Sequence, residues 1–173
     1  MIQKKLLAFL ALAIILQGCW PINDGEDDVI IEPFPESYYT PVTMPREAFE
    51  VSTTFEAPKS IINSGKIYVK DNFLFINEKN EGFHVFNNSN PENPINIGFI
   101  KVLGSSDLAV KGDILYVNNA TDLVAIQPNF ETQTVSITKR ITNTFPQLFS
   151  PDGFQYYNLG EDEIIINWVL NDE

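Results

Sequence analysis

Apolar and polar residues alternate in short bursts along most of this chain, and the bursts repeat. Residues 67–77 (IYVKDNFLFIN) lie over residues 108–118 (LAVKGDILYVN) at an offset of 41, with Val69/Val110, Lys70/Lys111, Leu74/Leu115 and Asn77/Asn118 identical. Ile67/Leu108, Phe73/Ile114, Phe75/Tyr116 and Ile76/Val117 exchange one strand-forming apolar residue for another. One residue out of step, Phe83-His84-Val85-Phe86 answers Leu123-Val124-Ala125-Ile126. Self-similarity at this spacing, made of short apolar runs broken by Lys-Asp-Asn or Lys-Gly-Asp, is the mark of a repeated β-sheet unit.

The pattern predicts strands over 66–69, 73–76, 83–86 and 95–100 in the first unit, and a second unit from Asp107 to about Ile141 with 135–137 in its fourth strand. A third start follows, with strands over 154–157 and 163–168. Four short antiparallel strands in about 40 residues make a unit of propeller-blade size, and a closed propeller needs at least four of them. The expected fold is therefore all-β, with about two and a half blade-like antiparallel repeats (65–103, 106–145 and a partial 153–170) in an incomplete propeller-like domain over 41–173. One short N-terminal helix is predicted within 43–51. Pro45 suits its first turn, Thr43 or the next residue its cap, and Met44, Ala48 and Val51 the face packed on the sheet.

The N-terminus changes the picture. Lys4-Lys5 precede an unbroken apolar run over 6–16, then Gln17-Gly18-Cys19. A helix of that length rises only about 16 Å, too short for a hydrocarbon core of about 30 Å, so residues 1–18 read as a secretory signal. Leu16-Gln17-Gly18-Cys19 resembles the bacterial lipobox, which implies cleavage before Cys19 and acylation of its thiol. Acyl chains contribute about 0.8 kcal/mol per buried methylene, so two or three anchor a protein stably. Residues 19–40 read as an acidic, Pro-rich tether, with Asn23-Asp24-Gly25-Glu26-Asp27-Asp28 followed by Pro33, Pro35 and Pro41. That acidic cluster resembles the export signals that send Bacteroidota lipoproteins to the outer face of the outer membrane.

Cleavage ahead of Cys19 leaves 155 residues, enough for one domain with a core, carrying 9 basic and 23 acidic side chains. Such a surface repels nucleic acid. Cys19 is the single cysteine, so packing rather than disulfides must hold the domain.

Residues 82–94 (GFHVFNNSNPENP) resemble the LVIVD repeat, whose unit ends in an apolar strand and an Asp-x-Ser-Asp-Pro-x-x-Pro-like turn. The second unit keeps Asp122-Leu123-Val124-Ala125-Ile126 but has Gln127-Pro128-Asn129-Phe130 where the turn belongs. From Tyr39 to Asp152 the chain is similar to Bacteroidota lipoproteins of unknown function that carry these repeats. The resemblance implies a propeller-like scaffold in a short form and supplies no catalytic residues.

Candidate chemistry is sparse. No catalytic, cofactor-binding or metal-binding residues are assigned, and Cys19 is the one site residue, for lipidation. His84, the single histidine, reads as an ordinary strand residue. Asp113 and Asp122 would have to converge to act as acid and base, and turn chemistry accounts for both. Asn87-Asn88-Ser89 and Asn119-Ala120-Thr121 match a glycosylation acceptor pattern but read as turns. Tyr38, Tyr39, Tyr156, Tyr157 and Trp168 are the aromatic candidates for binding, with packing the expected role of Trp168 and Tyr156. The functional expectation is a membrane-anchored, surface-exposed, non-catalytic scaffold or binding module with a protein or glycan partner, associating through an open sheet edge unless the N-terminal segment covers it. The alternative is a carboxylate-dependent hydrolase of glycans or peptides.

Overall fold

Each repeat folds as an antiparallel meander. The structure, a computed structural model, describes residues 37–171. The first repeat gives β3 (Ser64–Lys70), β4 (Phe73–Glu78), β5 (Gly82–Asn87) and β6 (Ile95–Lys101), paired in chain order. A further strand, β2 (Thr54–Glu56), adds to the β6 edge and makes this sheet five-stranded. The second repeat gives β7 (Leu108–Lys111), β8 (Ile114–Asn119), β9 (Asp122–Asn129) and β10 (Thr134–Ile141), again in chain order. The fold is all-β and antiparallel, with a single short helix, α1 (Arg46–Glu50), among the described residues.

Two-residue periodicity decides what faces what. In the first sheet Tyr68, Phe75 and Val85 form one cross-strand row, and Phe83 pairs with Ile100 on the same face. In the second sheet Leu108, Val117 and Val124 form one row and Val110, Leu115 and Ile126 the next. These two faces meet, and their side chains make the main core with Phe55, Phe73, Phe130 and Ile137 packed around it.

The identical asparagines of the repeats both hold the linker that leads into the second sheet. Asn118 Oδ1 accepts the backbone N–H groups of Ser106 and Asp107 at 3.0 and 2.9 Å, while its Nδ2 donates to the Gly104 carbonyl. Asn77 is buried and donates to the carbonyls of Gly82 and Ser105. Both therefore grip the linker between the sheets, and at Asn118 the amide serves as acceptor and donor at once, which an aspartate could not do.

The third unit differs from expectation. Residues 154–157 form no strand; instead β11 (Glu163–Leu170) pairs with β1 (Tyr39–Pro45) from the other end of the chain. The cause is local. Ser150 Oγ accepts the Phe154 N–H at 2.7 Å and Gln147 donates to the Tyr156 carbonyl at 3.1 Å, so side chains take backbone groups that a ladder would need.

The helix is also shorter than expected. Thr43, Met44 and Pro45 pair with Ile165, Ile164 and Glu163, so they belong to β1, and Pro45 occupies the cap position with no side-chain cap. Ala48 and Val51 are exposed; the helix instead buries Phe49. Phe49 joins Ala120, Ile164 and Ile166 in a second cluster, supported by Val42, Met44, Leu103 and Leu148.

Candidate functional site

Strand direction gives the pair of sheets two distinct ends. At one, the β4–β5 and β8–β9 turns are capped by β1, α1 and β11. Asn80 donates to Asn167 across this contact at 3.0 Å, and Trp168 Nε1 donates to the Leu148 carbonyl at 3.2 Å. Asp122 sits here, fully buried, accepting from Arg46 and Arg140 at 2.8 Å each and from the Asn143 N–H at 3.1 Å. Burial opposes its charge, but the two guanidiniums outweigh that and hold its carboxyl below the usual range. The same guanidiniums lie over the Phe49 ring.

At the other end the β3–β4, β7–β8 and β9–β10 turns stand apart and leave a cleft of about 390 Å³ between the sheets. Phe73 stacks on Phe130 at 4.1 Å between ring centroids, and Phe75 lies 6.4 Å from Phe130. These rings and Pro128 form an apolar floor, and Lys70, Asp71, Asp113 and Glu131 stand on the rim. The turns supply the rim because they need left-handed backbone and polar side chains: Asp71 has φ +52° and Gly112 φ +59°. An aromatic floor with a charged mouth suits a ligand with one flat apolar face and polar edges.

The sequence-derived residues fall in separate places. Asp113 lies on the cleft rim, whereas Asp122 lies beyond the far end of β8. Six strand residues separate them, roughly 20 Å at about 3.3 Å per residue. Paired carboxylates in glycoside hydrolysis stand within about 10 Å, so this pair does not act as one acid–base couple. Lys70 and Lys111 both sit beside hairpin turns, but only Lys70 reaches the cleft. Trp168 is buried, Tyr39 and Tyr156 are half-buried, Tyr38 and Tyr157 are exposed, and none of the five lines the cleft. Cys19 lies outside the described residues.

His84 is a strand residue of β5, as expected, and is fully buried. Its Nε2 lies 2.9 Å from Glu78 Oε2, its ring meets Phe99 edge-on, and its Nδ1 makes no hydrogen bond among the described residues. Residues 57–63 bury it by crossing the outer face of the first sheet. Glu78 accepts the N–H groups of Ile62 and Asn63, and Lys59 Nζ lies 3.7 Å over the Phe99 ring. Burial raises the Glu78 carboxyl, yet the Ile62 amide, His84 and the Asn63 amide bring it below its usual value. A third group ties the sheets together. Asp107 accepts from Lys66 and Tyr68, which lowers its own pKa, while burial and then Asp107 push the Tyr68 hydroxyl up to about 12.

Phe130 is the site residue that pattern reading missed. Its signal was present: the second repeat departs from the first at Gln127-Pro128-Asn129-Phe130, and the departure lines the cleft. Among the described residues no three His, Cys, Asp or Glu side chains gather as a metal site, and no helix is long and apolar enough to cross a membrane. No family model, curated protein or solved structure matches the chain.

Proposed function

We propose that the chain is a lipid-anchored, surface-exposed binding module of the bacterial outer membrane, non-catalytic, akin to the LVIVD-repeat lipoproteins. Acylated Cys19 holds it to the membrane, the acidic segment sets the domain off from the lipid, and the open-end cleft takes a protein or glycan partner. The observation that carries the binding role is the Phe73–Phe130 stack, an apolar floor left open where the rest of the inter-sheet space is filled. The buried carboxylates Asp122 and Glu78 are committed to internal partners, which supports a scaffold over an enzyme. Sheet-edge association at β11 is limited on one side by its pairing with β1.

Two measurements test this. Metabolically supplied labelled palmitate is expected on the mature protein and absent from Cys19→Ser, which moves to the soluble fraction; a Cys19→Ser protein that stays acylated and membrane-bound sinks the anchor. Glycan and peptide panels titrated against the protein, read by NMR of fluorine-labelled phenylalanine, are expected to shift the Phe73 and Phe130 signals. Phe130→Ala then weakens the ligand found by about tenfold or more, the loss of an aromatic anchor.

The hydrolase reading retains one specific observation, the gathering of Asp71, Asp113 and Glu131 around one mouth. Turnover of a panel member that disappears in Asp113→Asn and Glu131→Gln would select it over the binding module.

A further inference from the structure

The repeat alignment and the strand register together identify an interface that the described chain leaves half made. In the second sheet, Leu108, Val110, Leu115, Val117, Val124 and Ile126 form the face buried against the first sheet. Their counterparts in the first sheet are Ile67, Val69, Leu74, Ile76, His84 and Phe86, and cross-strand pairing puts those six on one face as well. That face points away from the second sheet. The strap over 57–63 covers its β5–β6 side, where His84 and Phe99 are fully buried. On the β3 side nothing covers it among the described residues: Ile67 is 62% exposed and Val69 65%.

The opposite end of the stack shows the complement. The first sheet receives its neighbour with Tyr68, Phe73, Phe75, Phe83 and Val85. Aligned positions on the outer face of the second sheet are Ala109, Ile114, Tyr116, Leu123 and Ala125. Ala109 in place of a tyrosine leaves a hollow of about 620 Å³ there, bounded by Tyr116, Leu123, Phe145 and Phe149. Phe145 and Phe149 are both exposed.

We propose that a second copy of this chain docks head to tail, the Ile67–Val69 face of one copy entering the Tyr116–Phe149 hollow of the other. The template is the contact already present inside the chain between its own two sheets, repeated with the same residue positions. A patch that matches a different patch elsewhere on the same molecule makes a heterologous contact, which closes into a ring or runs on as a filament. Two copies bring together four repeat sheets, the fewest in a closed propeller, so a closed dimer is the expected species.

The test is the oligomeric state of the full lipoprotein in detergent micelles, by sedimentation velocity over a concentration series. The wild-type chain is expected to form a reversible dimer, and Ile67→Lys with Val69→Lys to be monomeric with an unchanged circular dichroism spectrum. Cysteines placed at positions 67 and 116 in separate copies are expected to crosslink with a short bismaleimide, the joined peptides being identified by mass spectrometry. A wild-type monomer at every concentration overturns the proposal. So does a dimer that survives the double lysine variant, or a dimer whose crosslinks join 67 to 67.

Discussion

Asp122 shows how one side chain commits a region. Its carboxylate joins Arg46 of the helix to Arg140 of β10 and caps the turn at Asn143, and no solvent reaches it. Removing one partner of a buried ion pair leaves uncompensated charge, so Asp122→Ala is expected to lower unfolding free energy by about 3–5 kcal/mol in urea titration at neutral pH. Asp122 and Glu78 both have carboxyl pKa values below their unfolded ones. Their stabilisation is therefore fully present above the unfolded value of about 4 and is lost as pH falls through the folded values. Urea midpoints measured from neutral pH downward should fall in that acidic window, and the fall should be shallower in Asp122→Ala. The identity of Asn77 with Asn118 was legible as a repeat. That both grip the inter-sheet linker depends on backbone groups far along the chain, which no local pattern encodes.

At the level of elements, strand alternation named nearly every strand of the two repeats, because each keeps one face dry and the other wet or differently packed. It misplaced the helix because β1 pairs with β11 across the whole chain, and it misplaced the 154–157 strand because Ser150 and Gln147 side chains take backbone groups there. Residues 43–45 carry helix-start signals, yet seven β1 residues find ladder partners in β11, and that ladder prevails. Because β1 and α1 shield Ile164 and Ile166, a protein lacking residues 37–45 is expected to show fast amide exchange along β11 by hydrogen-exchange NMR. Exchange in β4, β5, β8 and β9, which the main core protects, should change far less.

For the whole molecule, charge and shape act against each other. A formal charge of −12 over the full chain makes copies repel, while the exposed Ile67–Val69 face and the Tyr116–Phe149 hollow favour their joining. Salt screens the first and leaves the second, so the dimer proposed above should tighten as salt is raised from about 0.01 to 0.15 M, over which the screening length falls from about 30 to 8 Å. Sedimentation velocity at the two salt levels measures this directly. The cleft belongs to this scale too. Phe73 and Phe130 are far apart in sequence and meet because the two sheets pack face to face.

The sequence by itself determined the repeat, its strands, the faces that must be buried and the turns between them, since periodicity and turn chemistry act over a few residues. Tertiary structure alone decided which strand closes the third sheet, which carboxylate is consumed by arginines, where the rings stack and which apolar face is left open. Those outcomes depend on partners that the chain brings together only after it has folded.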